Sequence, residues 1–308
     1  MTGFRVIDPG LLSLFQDAGR FGHHGLGLTN GGPVDSVSFY WANRLVGNTT
    51  NTTAIEVTLG GLSLKSEVET TIAVTGAAMQ FKINGNIKGL WRSHRIKLGD
   101  MIQLGHTSKG CRSYLAVTGG FHVKPLFGST ATVVRENMGE PICKDQWIVC
   151  VNSESRRNLA LPFKEIPSYE QEACLRVIPG YQYEIFGTTA RSSFFGSEYR
   201  VSGKHDRMGY RLKGLPIESP CSEMLSEGIC LGAIQIPADG QPIVLLNDRQ
   251  TIGGYPKIGS VLSCDLANLT QCNSGDCVRF KPITIETAQK ILRATKAKME
   301  SIHPKVCE

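Results

Sequence analysis

Short segments in which apolar and polar residues alternate, each bounded by a glycine-containing turn, make up most of this sequence. Phe81 and Ile83 alternate with polar neighbours before Asn84-Gly85, a pair typical of β-hairpin turns. Glycine, which suits tight turns, occupies 34 of the 308 positions, above the usual share of about 7%. The pattern therefore predicts a mainly β fold with few helices.

The same arrangement of turn and strand occurs in both halves of the chain. Gly99-Asp100 leads into the apolar segment 101–104, and Gly275-Asp276 leads into 277–280 in the same way. This echo indicates that each half contains a related β-barrel.

Helical periodicity is confined to two segments. Asp35 is a good N-cap for a helix that ends before Gly47, and a second helix begins at Thr284 and has a Lys- and Arg-rich outer face. The predicted inner faces comprise Val37, Tyr40, Trp41 and Leu45 in the first helix, and Ile285, Ala288, Leu292, Thr295 and Met299 in the second.

The length of the chain predicts two domains, at about 150 residues each. The polar stretch from Asn152 to Glu172 contains Pro162 and Pro167 and has little periodicity, which is typical of a domain boundary. We therefore predict domains at 1–160 and 161–308, the second of which includes the terminal helix.

Charge and hydropathy exclude several functional classes. Lys and Arg total 33 against 27 for Asp and Glu, and the resulting charge of +6 is scattered along the chain, which argues against binding to nucleic acid or membranes. No apolar run reaches the about 18 residues of a membrane span, and the first residues lack the apolar core of a secretion signal. We expect a cytoplasmic protein.

The ten cysteines include no C-x-x-C pair, so the spacing does not favour a zinc ribbon or a thioredoxin-like site. A disulfide framework is the alternative. We expect reduced and mostly buried thiols instead, because the chain is long and has no export signal.

Several common catalytic motifs are missing from the sequence. There is no P-loop, no G-x-S-x-G elbow and no H-E-x-x-H helix, and the Gly25-Leu26-Gly27 stretch reaches Asn30 where a dinucleotide fingerprint needs glycine. His23 and His24 are the only adjacent histidines. We predict no resident metal site.

Three glycine-containing loops rich in charged residues are the candidate sites. The first spans residues 16–35, where Asp17 and Arg20 form a turn-fixing ion pair or part of a site. The second spans 206–212, where two arginines near an acid form either a structural network or a bidentate clamp for a carboxylate or phosphate. In this second loop Tyr210 and Leu212 share one face of a strand.

The third segment runs from Gln235 through Pro237, Gly240, Pro242 and an apolar strand into the loop Asn247–Lys257. It passes through Asn, Asp, Arg and Gln into paired glycines, which brings polar side chains and backbone N–H groups to one rim. Such a rim is typical of a substrate pocket.

These segments carry a resemblance to a known family. Gln16–Arg20 with Gly31–Asp35, Ala42–Leu45 and Glu56–Gly61 resemble the first half of the allophanate hydrolase subunit 2 family, also called biotin-dependent carboxyltransferases. The D-R-M-G-Y-R-L and L-N-D-x-Q-T-x-G-G-Y-P motifs resemble its second half. The resemblance covers about Phe4 to Phe280, with the motifs in order.

The resemblance implies two cyclophilin-like β-barrel domains. It points to the branch that serves bacterial ATP-dependent 5-oxoprolinases, and it therefore implies a direct partner, the B-type subunit of such an enzyme, and a further partner of the A type. Two alternatives are open: a carboxyltransferase that uses biotin carried by another protein, and a non-catalytic regulatory protein. Lys298 lacks the preceding methionine of a biotin-attachment site, so we expect no covalently attached biotin.

The implied reaction opens the lactam of 5-oxoproline to glutamate, with ATP activating the lactam oxygen. Phosphoryl transfer depends mainly on positioned cations, and Arg20, Arg207, Arg211 and Lys257 are suited to supply them, with Asp35 or Asp248 holding a possible Mg²⁺. The expected catalytic residues are Asp35, Asp206, Arg207 and Asp248. The expected substrate-binding residues are Asp17, Arg20, Tyr210, Arg211, Asn247, Gln250, Tyr255 and Lys257.

Overall fold

The computed structural model describes residues 2–153, 158–169, 172–219 and 224–307. The chain divides into two compact units: Met1–Arg20, Gly31–Tyr169 and His303–Glu308 form the first, and Phe21–Asn30 and Glu170–Ile302 form the second.

Within the described residues the strands of the first unit are β1 (Gly3–Pro9), β2 (Leu12–Gln16), β3 (Ala54–Thr58), β4 (Leu62–Ser66), β5 (Thr70–Ile83), β6 (Asn86–Lys88), β7 (Arg92–Ile96), β8 (Met101–Val117), β9 (Trp147–Val149) and β10 (Leu159–Ala160). The second unit contains β11 (Glu172–Pro179), β12 (Tyr199–His205), β13 (Gly209–Gly214), β14 (Glu227–Gly228), β15 (Ala233–Gln235), β16 (Ile243–Leu245), β17 (Ile252–Gly253), β18 (Lys257–Val261) and β19 (Cys277–Pro282). The last strand, β20 (Lys305–Val306), belongs to the first unit.

The α-helices of the described chain are α1 (Ser36–Leu45), α2 (Thr188–Gly196), α3 (Leu266–Thr270) and α4 (Ile285–Ser301). Short 3₁₀ helices occupy His24–Leu26, Val134–Glu136, Phe163–Glu165, Tyr183–Ile185 and Ser263–Asp265. Strands therefore dominate, and the predicted mainly β fold with few helices is confirmed.

An antiparallel ribbon of β5 and β8 forms the centre of the first unit. It belongs to a sheet ordered β20-β10-β7-β5-β8-β4-β1-β9, to which β3, β2 and β6 add at the sides. Strand β8 runs unbroken from Met101 to Val117, and it pairs with β4 at its start and with β3 at its end. Gly76 of β5 permits the close pairing of β5 with β8, because its φ is +101° and a Cβ there would lie 2.3 Å from the Arg112 carbonyl oxygen. Side chains from these strands, including Phe4, Ile72 and Phe81, share one core.

The hairpin predicted at Asn84-Gly85 joins β5 to β6. Both residues have positive φ, 51° for Asn84 and 78° for Gly85, as a two-residue type I′ turn requires. The local sequence was sufficient here because only glycine and asparagine adopt this conformation readily.

Helix α1 begins where the sequence predicted. The Asp35 carboxylate accepts hydrogen bonds from the Ser38 backbone N–H at 2.9 Å and from the Ser38 hydroxyl at 2.6 Å. The predicted inner face is partly wrong, however, because Phe39, Ala42 and Leu45 enter the core cluster while Val37 and Tyr40 are only half-buried. The difference arises because α1 packs against β5 and β8, and this contact sets the rotation of the helix.

The second unit is built on a closed barrel ordered β11-β18-β15-β16-β13-β12-β19. Only β11 and β19 pair in parallel; the other barrel pairs described are antiparallel. The interior contains Leu175, Tyr210 and Leu212, and the rings of Phe194 and Phe280 stack at 4.6 Å between centroids. The barrel predicted for this half is confirmed.

Helix α4 is capped by Thr284 as predicted. Its predicted inner face is only partly buried: Ala288 is buried and Thr295 and Met299 are half-buried, whereas Ile285 is 56% exposed. Periodicity shows only that one face is more apolar, whereas burial needs a neighbouring element. No helix in the described ranges is both long and apolar enough to cross a membrane.

Each unit includes a short segment from the other half of the chain, so neither unit is continuous in sequence. The predicted domains, 1–160 and 161–308, are each continuous. The first unit extends to Tyr169. Residues 21–30 join the second unit, where the Thr29 hydroxyl donates to the Asn247 carbonyl oxygen at 2.7 Å. Residues 303–308 return to the first unit because Lys305 and Val306 pair with β10.

None of the nine cysteines that the structure describes forms a disulfide, and Cys221 lies outside the described residues. Four are buried, as predicted, and burial raises the pKa of the Cys150 thiol to about 12. Cys143, Cys174 and Cys230 are exposed, so the expectation of mostly buried thiols is only partly met.

We expect Asp35→Ala to lower the free energy of unfolding by about 2 kcal/mol, because it removes a helix cap and leaves buried donors without an acceptor. Thr284→Ala, at the exposed cap of α4, is the matched control and should cost about 0.5–1 kcal/mol. Urea denaturation measures both. Unchanged stability of Asp35→Ala would contradict its structural role.

We also expect a thiol reagent to label Cys143, Cys174 and Cys230 within minutes in the native protein. Cys111, Cys150 and Cys272, which are buried, should be labelled only after unfolding, because the thiolate is the reactive form and burial disfavours it. Peptide mass spectrometry assigns the labels. Native disulfides among these positions would overturn the expectation of reduced thiols.

Candidate functional site

A buried ion pair lies where the β12–β13 hairpin meets the loop after β16. Arg207 donates from Nε to Asp248 Oδ2 and from Nη2 to Oδ1, both at 2.9 Å. The two side chains are only 7% and 8% exposed, and the Asp248 N–H donates to the Arg207 carbonyl oxygen at 3.0 Å. Arg207 therefore directs its fork at a protein carboxylate, which is the structural network that the sequence left open.

The other residues of the second loop also have structural contacts. Asp206 Oδ1 accepts from the N–H groups of Met208 and Gly209 at 2.8 and 3.1 Å, which closes the hairpin turn. Tyr210 is buried with its hydroxyl donating to the Thr270 carbonyl oxygen at 3.2 Å, and Arg211 is exposed. The alternation of Tyr210, Arg211 and Leu212 along β13 is as predicted.

Lys257, at the start of β18, is the buried centre of a polar cluster that reaches the surface at Tyr181, which is 74% exposed. Its ammonium group forms an ion pair with Glu227, and its N–H donates to Gln182 Oε1 at 2.7 Å. Glu227 also accepts from the Tyr181 hydroxyl and the Gln182 amide. We call these four residues, Tyr181, Gln182, Glu227 and Lys257, the Lys257 cluster.

Sequence analysis singled out only one member of the Lys257 cluster. Tyr181 and Gln182 follow β11 after Gly180, and Glu227 begins the short strand β14. Polar residues at the end of a predicted strand were the available signal, but the sequence does not show which strand ends meet. Pairing of β11 with β18 in the barrel brings Tyr181 and Gln182 to Lys257, and pairing of β14 with β17 brings Glu227 there.

Gln235 is the cross-strand neighbour of Lys257. Its side chain is 1% exposed, and within the described part of the chain its Nε2 has no hydrogen-bond partner. A Cβ on Gly253 would lie 3.1 Å from this nitrogen and 3.5 Å from Gln250 Nε2. Two amide groups therefore lie beside the bare backbone of β17.

The third loop places its remaining residues at different depths. Asn247 and Gln250 are half-buried and Tyr255 is exposed. Arg249, which the sequence analysis did not single out, is buried and donates to the carbonyl oxygens of Ile229 and Leu246 at 3.1 and 3.2 Å. Burial lowers the pKa of Arg249.

The first unit holds Asp17 and Arg20 against one segment of chain. Asp17 accepts from the Ser129 hydroxyl at 2.6 Å and from the Thr130 N–H at 2.8 Å. Arg20 is buried and donates to the Ala131 carbonyl oxygen at 2.7 Å. Both side chains thus bind the segment 129–131.

Asp35 belongs to a separate network of the first unit, which the sequence did not reveal. The Tyr114 hydroxyl donates to Glu56 at 2.6 Å and accepts from the Asp35 N–H at 2.9 Å. The Tyr169 hydroxyl donates to Asp35 Oδ2 at 3.1 Å. Burial, reinforced by the two neighbouring carboxylates, raises the pKa of Tyr114 well above its usual value.

The two carboxylates expected to hold Mg²⁺ do not fit that task. Both oxygens of Asp248 accept from Arg207, and those of Asp35 accept from Ser38 and Tyr169. Among the described residues, no three His, Cys, Asp or Glu side chains group as metal ligands.

Comparison with known proteins confirms the family resemblance. Residues 26–282 match the model of the carboxyltransferase domain, subdomain A and B. The chain is 34% identical over 293 residues to the C-type subunit of the Escherichia coli 5-oxoprolinase, which covers 93% of each chain, and 31% identical over 308 residues to that of Haemophilus influenzae, which covers 96% of each. The crystal structure of the K. lactis urea amidolyase superposes with a TM-score of 0.90 at 27% identity, over 99% of this chain and 20% of that one. The chain therefore belongs to the family of carboxyltransferase domains with subdomains A and B.

Proposed function

We propose that this chain is the C-type component of an ATP-dependent 5-oxoprolinase and works with the B-type and A-type components to open 5-oxoproline to glutamate. The observation that carries the proposal is similarity along the whole length, since 93% of this chain aligns with 93% of its Escherichia coli 5-oxoprolinase relative. By contrast, a longer multi-domain relative is matched over only a fraction of its length: the superposition covers 20% of the urea amidolyase chain.

The chemistry needs activation of an amide. Resonance makes the lactam carbon a poor target for water, and transfer of the ATP γ-phosphoryl group to the lactam oxygen would release ADP and leave an electrophilic carbon. Water then adds to this carbon, and the ring C–N bond breaks with a proton going to nitrogen, which leaves an acyl phosphate. A second water hydrolyses the acyl phosphate to the carboxylate of glutamate and free phosphate. Such steps depend on fixed positive charge and hydrogen-bond donors.

In this proposal the Lys257 cluster contacts the substrate. Lys257 places an ammonium group in a largely buried environment, where electrostatic interactions are stronger than in water. Glu227 forms an ion pair with the ammonium group, and Gln182 accepts from the backbone N–H of Lys257. Asn247, Gln250, Tyr255 and Arg211 are proposed to line the more accessible rim.

Arg207 and Asp248 act as positioning residues in the same proposal. Their bidentate pair attaches the loop that leads to Lys257 to the β12–β13 hairpin. Asp206, Tyr210 and Asp35 are assigned to structural hydrogen bonds. ATP and Mg²⁺ take part as components of the complex's reaction, without Asp35 or Asp248 as metal ligands.

A second candidate is a carboxyltransferase component that uses biotin carried by another protein. It is favoured by the match of residues 26–282 to the carboxyltransferase domain and by the fold shared with the urea amidolyase. A regulatory protein without catalytic residues is the third candidate, for which a cluster mutation would leave the turnover of the complex unchanged.

We expect negligible 5-oxoproline-dependent ATP hydrolysis by the chain alone and robust turnover after addition of its B-type and A-type partners, measured as ADP and glutamate.

Lys257→Ala should lower kcat/KM of the complex about tenfold to a hundredfold, as expected for loss of a charged hydrogen bond. Lys213→Ala, on an exposed position of β13, is the matched control. Turnover by the lone chain contradicts the partnership, and carboxyl transfer from carboxybiotin without 5-oxoproline turnover favours the second candidate.

We expect Arg207→Ala to lower the free energy of unfolding by about 3–5 kcal/mol, because it leaves Asp248 buried without its countercharge. Activity per folded molecule should change only a few-fold. Arg200→Ala removes an exposed pair with Glu198 and should cost less than about 1 kcal/mol. A large loss of kcat/KM at unchanged melting temperature would show instead that Arg207 contacts the substrate.

A further inference from the structure

Arg249 is a buried cation with uncharged partners. Its side chain donates to the carbonyl oxygens of Ile229 and Leu246, and more weakly to Asn30 Oδ1 at 3.4 Å. Over the ranges that the structure describes, no carboxylate forms an ion pair with it, and the residue is 4% exposed. Burial of a charge is costly unless an opposite charge compensates it.

The neighbouring acid does not supply this compensation. Asp248 directs both carboxylate oxygens to Arg207. The guanidinium of Arg249 has five N–H groups, and its three hydrogen bonds use one from each nitrogen. One N–H on each Nη is therefore available, and guanidinium N–H pairs match the two oxygens of a carboxylate.

Gln235 is a second, independent sign of a missing acceptor. Its buried Nε2 has no partner among the residues described, which is unfavourable because the donor has given up its hydrogen bond to water. Gln235 and Arg249 both adjoin Ile229: a Cβ on Gly253 would lie 2.6 Å from Ile229 Cδ1 and 3.1 Å from Gln235 Nε2, while the Ile229 carbonyl accepts from Arg249. The buried charge of Arg249 and the Gln235 donor, which has no acceptor among the described residues, thus both lie next to Ile229 in the second unit.

We propose that Arg249 binds the carboxylate of a small cyclic substrate in the second unit, with Gln235 as an additional donor to its oxygen atoms. The inference rests on the proposed function, because 5-oxoproline carries one ring carboxylate besides its lactam. The two remaining Nη hydrogens of Arg249 are the donors to the carboxylate, and the contact with Asn30 is retained. The anion-binding arginine is therefore Arg249, whereas the sequence pattern had favoured Arg207.

The test is calorimetric titration of the full chain with 5-oxoproline and with 2-pyrrolidinone, which is the same lactam without the carboxylate. The wild-type chain should prefer 5-oxoproline by at least about tenfold, as loss of a hydrogen bond to a charged group implies. Arg249→Gln should abolish this preference, and Gln235→Leu should reduce it. Arg293→Gln, on the exposed side of α4, should leave it unchanged.

Thermal unfolding separates binding from folding. Arg249→Met should keep or raise the melting temperature, since it removes a buried charge without a countercharge. The proposal is overturned if the wild-type chain does not prefer the carboxylate, or if Arg249→Gln keeps the preference. If the complex turns over 5-oxoproline and either of these results is obtained, the inference about Arg249 alone is refuted. If the wild-type chain prefers 5-oxoproline to 2-pyrrolidinone and Arg249→Gln abolishes the preference, but the complex does not turn over 5-oxoproline, the proposed function alone is refuted.

Discussion

The Arg207–Asp248 ion pair is the interaction on which the candidate site of the second unit depends. It is bidentate, almost fully buried and reinforced by a backbone hydrogen bond between the same two residues. Because Asp206 closes the adjacent turn, the pair joins a rigid hairpin to a loop that has little regular structure of its own. Residues 247–257 therefore leave the barrel in a defined conformation, and Lys257 begins β18 at a fixed place.

Two of the buried cations around this loop have a carboxylate partner, and the third has none among the described residues. This difference determines which ligands the site favours. Asp248 compensates Arg207 and Glu227 compensates Lys257, whereas the acceptors that the described residues offer Arg249 are carbonyl and amide oxygens. Gln235 adds a donor without an acceptor among the described residues. A site with an excess of donors favours oxygen-rich anions, and the substrate proposed above carries such a group as its carboxylate.

The first unit uses its buried acids differently. Glu56 and Asp35 both contact Tyr114, and Asp35 also begins α1. These contacts attach the helix to β3 and β8, so the acids stabilise the packing of the unit. A buried carboxylate in a glycine-rich loop is therefore weak evidence for catalysis unless its hydrogen-bond partners are known.

Local sequence was enough to predict the mainly β class, the Asn84-Gly85 hairpin, the start of α1 and the membership of the family, because turn chemistry, capping and motif order act over a few neighbouring residues. The sequence also predicted that the charged, glycine-containing loops around Arg207 and Lys257 are candidate sites. The long-range contacts could be read only from the folded chain: Arg207 faces Asp248, Glu227 and Gln182 meet Lys257, and Arg249 lies buried without a carboxylate among the described residues. The first two of these contacts join residues 30 to 75 positions apart, and closure of the barrel, which no local pattern specifies, sets which strand ends meet.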